Sequence, residues 1–359
     1  MFRNLFRPFY YFSKYIYLKY NPFKFNTFDK YWINQINEEQ DNKTYRFCVF
    51  ISSKNNYSMF EKLVLKNYKI NNLDIYNIDD NSNPIQKSIG KEICNLNKIT
   101  FIENESHGLQ MALKTLMKYL DKKNKIYKFI LYISHDNYPV SRSFFDKFNK
   151  FIELNNLDQI GCVGFNHLDY AHNKKEILDF KKNKFSAGHL GRSFLTTLNN
   201  SKIPSWYNNK NTNNFKNFKL NKPFAVEGIA DMAFGINFNN LKKHILFSSQ
   251  YRLHCWADDI CMQFLVVNIY NLVIPNFIFF NPFEIKPKYS MHFSSVHTVA
   301  KSSETLEMYK LYWNKKWKWD RGNLPTKEII KKFYKDTLVQ KFCEHDIDKG
   351  PIKYFDFVL

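Results

Sequence analysis

Short runs of apolar, strand-like residues alternate with helix-like patterns along most of the chain, and this alternation constrains the fold more than any other feature. The run at 45–52 is dominated by apolar side chains, as expected for a strand buried on both faces of a sheet. Further strands are predicted at 73–78, 99–103 and 129–134, with helical patterns between them. Such alternation predicts an α/β fold with a mostly parallel central sheet flanked by helices.

Acidic residues follow two of these predicted strands. Asp79 and Asp80 come directly after the second strand, and Asp136 lies in the sequence Ser-His-Asp-Asn that follows the fourth. Ligands of parallel sheets bind beyond the carboxyl ends of the strands. The first pair could recognise a nucleobase or ribose edge, and Asp136 could give an oxygen ligand to Mg²⁺ or Mn²⁺ that bridges to substrate phosphates. A plain turn is the alternative at each place, because Asp and Asn side chains bond their own backbone.

A third acidic pair, Asp258-Asp259, precedes an apolar helix predicted at 257–267. Its structural interpretation is a helix N-terminus, where carboxylates cap the first turn and interact favourably with the helix dipole. Its functional interpretation is a general base, since a neighbouring carboxylate raises proton affinity. Downstream, His292 and His297 could complete a metal site or contact phosphate, although a lone histidine is more often structural.

The charge balance of the chain is 53 Lys+Arg against 33 Asp+Glu, a net charge of +20. An excess of this size favours anionic partners, namely nucleic acid, nucleotide phosphates or an acidic membrane face. The six cysteines are scattered without a CxxC pair, so we expect a reducing compartment and neither a disulfide framework nor a zinc knuckle. No uninterrupted apolar run of about 18 residues occurs, and a spanning helix is not expected.

The N-terminal segment interleaves Phe, Tyr, Leu and Ile with Arg3, Arg7, Lys14 and Lys19. This mixture is typical of a helix that lies on an anionic membrane surface, with its rings at the interface and its cations at the headgroups. The alternative is an arm that packs on the domain with its cations in solvent. The predicted division of the chain has three parts: a basic aromatic arm (1–44), a catalytic domain (45–300) and a helical extension (301–359).

Several segments, taken in order, resemble motifs of the GT-A glycosyltransferases, in particular the large inverting family two typified by bacterial polysaccharide synthases. The strand end IYNIDDNSNP is similar to the family's strand ending in Asp-Asp-Gly-Ser, and ILYISHDNYPV to its Asp-x-Asp strand end. ENESHGLQMALKTLMKY is similar to the family's Asn-x-Gly-x-x-x-Ala-x-Asn motif, and WADDICMQFLVVNIYNLVIP is similar to its Glu-Asp helix. HFSSVHT and YWNKKW are similar to its closing His/Ser and Lys-x-Trp segments. The resemblance covers about residues 45–320.

Two positions depart from the family pattern. Lys114 stands where Asn is usual, and His135 or Ser134 stands at the first acidic position of Asp-x-Asp. One expected metal ligand is therefore missing or replaced.

The resemblance implies a nucleotide-binding set at the strand ends and at the start of the second helix. In this set, Asp80 together with Asp79 would contact the nucleotide base. The remaining members are Ser52, His107 and Gly108.

The resemblance also implies the metal-binding and catalytic residues. Asp136 would bind the metal-bridged diphosphate, with His292 or His297 near the metal or phosphate. The base would come from the acidic pair at 258–259, where the register is ambiguous by one residue. The second member, Asp259, is favoured as the base, and Asp258 is then expected to cap the helix.

The implied reaction transfers a sugar from a nucleotide-sugar, expected to be a UDP-sugar, to a hydroxyl of a glycan, lipid-linked or protein acceptor. Direct displacement at the anomeric carbon would invert its configuration, with Mn²⁺ or Mg²⁺ neutralising the leaving group. Such an enzyme of polysaccharide biosynthesis is expected in the cytoplasm, in peripheral contact with the anionic inner face of a membrane.

Two other classes of protein fit parts of the sequence. The charge and the abundant aromatics would suit a nucleic-acid-binding protein. However, the lysines are spread along the chain and no RNA-binding aromatic signature or helix-turn-helix pattern occurs, so nucleic acid is not an expected partner. The incomplete Asp-x-Asp would suit a transferase-like module without catalytic activity.

Overall fold

The structure is a computed structural model that describes residues 44–55, 57, 60, 72–135, 137–139, 141, 143–169, 190–196, 206–207, 219, 222–251, 255–281, 303–346 and 349–359. The predicted N-terminal arm, most of the helical pattern after the first strand, Asp136, His292 and His297 lie outside these residues. In the part of the chain that is described, no helix combines the length and apolar character that crossing a membrane requires.

The described strands form one large sheet and one short separate pair. The strands are β1 (Phe47–Ser53), β2 (Ile75–Asp79), β3 (Thr100–Glu103), β4 (Phe129–Ile133), β5 (Tyr138–Pro139), β6 (Ile160–Asp169), β7 (Gly191–Arg192), β8 (Trp206–Tyr207), β9 (Phe224–Val226), β10 (Ala233–Asn237) and β11 (Tyr270–Asn281). The large sheet has the order β3-β2-β1-β4-β10-β6-β11-β5, with β9 also paired to β11, while β7 pairs with β8.

Six of the nine strands of the described sheet run in the same direction, and β5, β9 and β10 run antiparallel to their neighbours. Strands β1 to β4 run parallel to one another, and β6 is parallel to β11. Strand β10 lies antiparallel between β4 and β6, with Ala233 opposite Ile133. The predicted α/β fold with a mostly parallel sheet is confirmed, and the antiparallel β10 is the feature that the alternation of patterns did not indicate.

The helices formed by the described residues lie between and after the strands. They are α1 (Pro84–Leu96), α2 (Leu109–Lys122), α3 (Phe144–Leu154), α4 (Phe238–His244), α5 (Trp256–Val266), α6 (Ser303–Trp317), α7 (Lys327–Phe333) and α8 (Leu338–Glu344). Helix α1 begins as its sequence dictates, because Pro84 is its first residue and the Asn83 side chain accepts a hydrogen bond from Gln86 N. Helix α2 begins at Leu109, after the N-cap residue Gly108, whose φ of 91° favours glycine.

The core is rich in aromatic rings, as the composition of 36 Phe and 23 Tyr predicts. Helix α3 contributes Phe144 and Phe148, which contact the rings of Phe165 and Phe277 on β6 and β11. Residues of β1, β2 and β4 are buried throughout, since the sheet is covered on both faces there, whereas β3 at the side of the sheet is only partly buried. This packing fixes the strand ends that carry the polar residues of the candidate site.

The predicted C-terminal extension packs onto the sheet domain. Ala225 N donates to Lys353 O at 2.9 Å, and Phe355 N donates to Pro223 O at 2.9 Å. Trp313 of α6 is fully buried and belongs to the same hydrophobic core as the sheet. Residues after 303 therefore help to form the core next to the candidate site.

Candidate functional site

Several of the polar segments predicted from the sequence meet at one edge of the sheet, beyond the carboxyl ends of β1, β2 and β4. The starts of α2 and α5 lie against each other there, because Gln110 Nε2 donates to Trp256 O at 3.0 Å and to Asp259 Oδ2 at 3.1 Å. Gln110 Oε1 accepts from Ser248 N at 2.9 Å. The buried side-chain amide of Gln110 thus joins the start of α2, which follows His107 and Gly108, to the acidic start of α5.

Asp79 holds the turn after β2. It is 1% exposed, and its carboxylate accepts hydrogen bonds from Tyr57 Oη at 2.7 Å and from Ser82 N at 3.0 Å. Burial, together with the Asp79 carboxylate, raises the pKa of Tyr57, so that the phenol stays a donor. In this arrangement Asp79 has the structural role that the sequence offered as the alternative to contact with a base.

Asp80 joins the end of β2 to the start of α2. Its Oδ1 accepts from Gly108 N at 2.9 Å and from Asn104 Nδ2 at 2.8 Å. Asn104 is oriented by Thr115, whose Oγ1 donates to Asn104 Oδ1 at 3.0 Å. Asp80 is only partly buried, and both of these hydrogen bonds use the same oxygen. The carboxylate is therefore positioned by two elements and still lies at the surface of the sheet edge.

The other predicted members of the nucleotide-binding set lie close by but differ in access. Ser52 is 6% exposed within β1, opposite Ile78 of β2. His107 is exposed, and its Nδ1 lies 3.2 Å from Asn81 Nδ2. Of the set, Asp80 and His107 present side chains toward solvent, and Gly108 presents the N-terminus of α2.

The segment after β4 forms a closed turn beside β10. Asn137 N donates to Ser134 O at 3.0 Å, and Ser134 N donates to Met232 O at 2.8 Å. His135 is partly exposed in this turn, whereas Asn137 is buried. Asp136 itself, like the candidate ligands His292 and His297, is outside the described residues, so its predicted role stays a prediction.

Asp259 is fully buried and surrounded by donors. Lys316 Nζ lies 2.8 Å from both carboxylate oxygens, and Trp317 Nε1 donates to Oδ1 at 3.0 Å. Gln110 and Gln263 donate to Oδ2 at 3.1 and 3.0 Å. Burial raises the pKa of Asp259, while Lys316 and the hydrogen bonds act in the opposite direction. A raised pKa suits a general base. However, the Asp259 carboxylate can accept a hydrogen bond from a substrate only after one of its present donor side chains moves away.

Asp258 forms ion pairs instead of capping the helix. Arg321 donates to its Oδ2 through Nε at 3.0 Å and through Nη2, and Arg192 Nη1 lies 3.5 Å from the same oxygen. The cap position of α5 is Cys255, whose side chain makes no capping hydrogen bond, and Asp258 lies within the first turn of the helix. The expectation that Asp258 caps this helix is therefore wrong, because the helix begins after Cys255 and the Asp258 carboxylate pairs with two partly buried arginines by charge-assisted contacts.

A further buried carboxylate, Glu227, was not singled out from the sequence. Phe194 N donates to it, as do Leu195 N at 2.5 Å and the hydroxyl of Thr196. Burial raises the pKa of Glu227 to about 7, against the opposing effect of these hydrogen bonds. Glu227 therefore holds residues 194–196 next to Gly228 and Asp258.

Several residues of the site carry no local signal in the sequence. Gln110 and Trp317 lie inside quoted segments but were not assigned roles, while Arg192, Asp231 and Arg321 lie outside every motif. Their importance comes from tertiary contacts between segments that are far apart in the chain. Only the apolar run around Gly228 and the basic, Trp-rich sequence at 313–321 could have drawn attention to these regions.

Comparison with known proteins gives likenesses of fold at low identity. No family model matches the chain, and no curated protein matches it. Among solved structures, it is similar to the mannosyltransferase PcManGT from Pyrobaculum calidifontis in complex with GDP-Man and Mn²⁺, with 11% identity and a TM-score of 0.43 over 75% of this chain and 67% of that one.

Two further solved structures show the same degree of likeness. GalNAc-T7 with UDP, GalNAc and Mn²⁺ is 14% identical with a TM-score of 0.43 over 67% of this chain, which spans 44% of that protein. Glucosyl-3-phosphoglycerate synthase from Mycobacterium tuberculosis, in complex with Mn²⁺, UDP and glucosyl-3-phosphoglycerate, is 8% identical with a TM-score of 0.40 over 79% and 82% of the two chains. These likenesses concern the fold, and the function proposed below rests on this chain's own residues.

Proposed function

We propose that the protein is a glycosyltransferase that moves a sugar from a nucleoside-diphosphate donor to a hydroxyl acceptor. The observation that carries this proposal is the arrangement of the sheet edge. Asp80 and the N-terminus of α2 lie at one end of that edge, and the acidic start of α5 is joined to them through Gln110. Such an edge of a mostly parallel sheet is where α/β proteins bind nucleotides.

The donor's nucleotide fits the part of the edge formed by β2 and α2. Asp80 is held by Gly108 N and Asn104 Nδ2, so its carboxylate has a fixed position from which to accept hydrogen bonds from a base or ribose. The N-terminus of α2, a helix of 14 residues, favours nearby anionic groups through its first-turn amides and its dipole. The net charge of +20 favours the anionic donor in general.

A divalent cation fits the turn after β4 by the chemistry of the donor set. The turn closed by Asn137 and Ser134 contains the carboxylate of Asp136 in the sequence, with an imidazole and an amide as neighbours. Mg²⁺ and Mn²⁺ accept oxygen ligands and commonly need only one or two protein carboxylates, because substrate phosphates and water complete the shell. We propose Asp136 as the ligand, with His292 or His297 nearby; the bound cation would stabilise the charge of the departing diphosphate.

Inversion by direct displacement is part of the proposal. The acceptor oxygen would attack the anomeric carbon from the face opposite the diphosphate, and one carboxylate of the site would take its proton. Asp258 and Asp259 are the members predicted from the sequence, and both are held by cations of the C-terminal segment. Contact with an acceptor would therefore require Lys316 or Arg321 to move.

The N-terminal arm is proposed to bind an anionic membrane surface peripherally and to bring the enzyme to a lipid-linked or glycan acceptor in polysaccharide biosynthesis. The support is the sequence alone: rings alternate with Arg3, Arg7, Lys14 and Lys19. Deleting residues 1–22 should release the protein from anionic liposomes in a sedimentation assay. Equal partitioning of the full-length and shortened chains would contradict membrane binding by the arm.

A thermal-shift screen tests the main proposal. Nucleoside diphosphates (UDP, GDP, dTDP and ADP) are added with and without Mn²⁺, and a bound nucleotide should raise the melting temperature because it binds only the folded state. We expect UDP to give the largest shift and Mn²⁺ to increase it. Asp136→Asn should remove the Mn²⁺-dependent part, while the matched variant Asp158→Asn should keep it.

Asp158 is a suitable control because it is exposed in the turn before β6, at the opposite edge of the sheet. Two outcomes would contradict the proposal. The first is the absence of a shift with every nucleotide. The second is steep, salt-dependent binding of arbitrary oligonucleotides in a protein that ignores nucleoside diphosphates, which would favour nucleic-acid binding.

A further inference from the structure

Asp231 lies beside the turn after β4, although no motif marks it in the sequence. Strand β10 begins at Ala233, directly opposite Ile133 at the end of β4. The pairing continues one step further, since Ser134 N donates to Met232 O at 2.8 Å. The backbone of Asp231 is therefore next to the segment that begins with His135.

Asp231 also belongs to the charged cluster at the start of α5. Its carboxylate interacts electrostatically with Arg192 and Arg321, the two guanidiniums that hold Asp258, and with the thiol of Cys255. Arg192 is fixed in place because its backbone exchanges two hydrogen bonds with Gly228, at 2.8 and 2.9 Å. Asp231 thus lies between the end of β4, where the cation and the donor's diphosphate are proposed to bind, and the acidic start of α5.

Access to solvent distinguishes Asp231 from the acidic pair of α5. Asp258 is 4% exposed and Asp259 is not exposed at all, whereas Asp231 is partly exposed. Asp80 is also partly exposed, but it follows β2, which is separated from β4 by β1. Among the described acidic residues of this edge, Asp231 is the partly exposed one that adjoins β4.

We propose that Asp231 is the catalytic residue that removes the proton from the acceptor hydroxyl, an assignment that rests on the proposed function. As the acceptor oxygen bonds to the anomeric carbon, its proton passes to the Asp231 carboxylate. The bond between the anomeric carbon and the diphosphate oxygen breaks, and its electron pair leaves with the nucleoside diphosphate. Asp258 and Asp259 then shape the site through Arg192, Arg321 and Lys316 without contacting the acceptor.

The charge pattern of the cluster supports this division of roles. Arg321 engages Asp258 through two nitrogens and Arg192 approaches the same oxygen, so Asp258 is already committed to an ion pair. Lys316 reaches both oxygens of Asp259. Removing a proton from an acceptor requires a carboxylate within hydrogen-bond reach of the substrate. Asp231 meets this requirement because it is partly exposed and lies between the two halves of the edge.

The test is donor hydrolysis, with water as the acceptor. The nucleoside diphosphate (UDP, GDP, dTDP or ADP) that stabilises the wild type selects the donors to be tested. The probes are its conjugates with glucose, galactose, mannose or N-acetylhexosamine, and the measured product is the released nucleoside diphosphate. Asp231→Asn should lower kcat about 10²–10⁴-fold, the usual loss of a general base. Its melting temperature and its affinity for the nucleoside diphosphate with Mn²⁺ should stay at wild-type values.

Two further measurements separate proton removal from other roles. Formate added to Asp231→Ala should restore part of the turnover, because it replaces the missing carboxylate, and a complete lack of rescue would overturn the assignment. Asp158→Asn, at the opposite edge of the sheet, should turn over at the wild-type rate. Near wild-type turnover in Asp231→Asn, or a loss that follows the loss of nucleotide and Mn²⁺ affinity, would also overturn it.

The outcome for the wild type distinguishes this inference from the proposed function. A wild type that neither binds nucleotides nor releases diphosphate from any donor contradicts the function as a whole, and the assignment falls with it. A second outcome overturns the assignment of Asp231 alone. In it, the wild type hydrolyses a donor, Asp259→Asn or Asp258→Asn abolishes turnover with unchanged nucleotide affinity, and Asp231→Asn does not.

Discussion

Two Asp-Asp pairs lie at the same edge of the sheet, and they are held in different ways. After β2, Asp79 accepts hydrogen bonds from neutral donors, Tyr57 Oη and Ser82 N, the second of which lies in the same turn. At the start of α5, Asp259 accepts from Lys316 and Trp317, more than fifty residues further along the chain. The same dipeptide thus receives hydrogen bonds from its own turn in one place and from a helix remote in the sequence in the other.

This difference shows which parts of the edge depend on tertiary packing. The β2 pair needs its own turn and the start of α2, whereas the α5 pair needs the end of α6 and Arg321 to be docked. A buried carboxylate that loses its cation leaves an uncompensated charge, which is more costly than a lost neutral hydrogen bond. The C-terminal segment therefore controls the geometry of the α5 pair.

The largest expected effect compares the two buried carboxylates directly. Asp259→Asn leaves Lys316 without its partner and sets an amide against the donors of Gln110 and Gln263, so the free energy of unfolding should fall by about 4 kcal/mol. Asp79→Asn sets an amide against neutral donors only, and should cost about 2 kcal/mol. Urea denaturation of both variants measures the difference. Equal losses would contradict the distinction between the two pairs.

Glu227 shows whether the stability of a buried carboxylate depends on the charge of its hydrogen-bond donors or on their distance from it in the sequence. Like Asp259 it is buried and held by remote residues, but its donors are neutral: the amides of 194–195 and the hydroxyl of Thr196. Its pKa is raised from 4.5 to about 7, mainly by burial. The folded state therefore keeps a proton between about pH 4.5 and 7 that the unfolded chain has lost.

Stability should consequently fall as the pH rises through this window. Each unit of pKa difference corresponds to about 1.36 kcal/mol, so the wild type should lose about 3 kcal/mol between pH 4.5 and 7.5 relative to Glu227→Gln, which has no titrating group there. Below the window the contribution is fully present. The measurement is the difference in unfolding free energy between the two proteins at several pH values. A difference that is constant with pH would show that folding does not shift the pKa of Glu227.

Gly228 sharpens the comparison from the side of the α5 pair. A Cβ at this position would lie 2.7 Å from Phe194 Cε1 and 3.0 Å from Asp258 Oδ1, so Gly228→Ala forces both to move. We expect a loss of about 2 kcal/mol, as for overpacking of a core. Gly322→Ala is the control, because its nearest neighbour, Asp320 Oδ1, is 3.6 Å away and the change should be small. Similar stabilities of the two variants would show that Asp258 and Phe194 can move to admit the added methyl group, although the ion pairs of Asp258 indicate a fixed position.

Sequence patterns predicted the sheet because strand and helix periodicities are local properties of a segment. Strand β4 was expected at 129–134 and is observed at Phe129–Ile133, and the helix expected at 257–267 is observed at Trp256–Val266. The position of Asp80 at a strand end follows from the same local pattern. These features depend on residues a few positions apart, which one sequence displays directly.

The partners of the α5 pair could not be predicted in the same way. Arg192 and Arg321 approach Asp258 from segments 66 and 63 positions away in the chain, and no periodicity reports such contacts. The cap assigned to Asp258 was wrong because the helix begins after Cys255, so that Asp258 lies inside the first turn, where the remote arginines pair with it. Asp231 escaped notice because the antiparallel β10, which brings it beside β4, was not expected.

The smallest effect on the free energy of unfolding is expected for a substitution of Asp80, which is proposed to act in nucleotide binding. Its Oδ1 accepts from Gly108 N and Asn104 Nδ2, and the carbonyl of an asparagine can accept from both donors in the same place. Asp80→Asn should therefore cost no more than about 1 kcal/mol of unfolding free energy.

The effect of Asp80→Asn on nucleotide binding should be larger than its effect on folding. The substitution removes an oxygen acceptor and a negative charge from the group proposed to contact the base or ribose, so the melting-temperature shift given by UDP should fall sharply. Glu105→Gln, an exposed change of the same charge near the same loop, should keep the shift and lose only its surface contact with Lys118. A full UDP shift in Asp80→Asn would mean that the β2 pair, like Asp259, serves the fold and leaves the nucleotide to other residues.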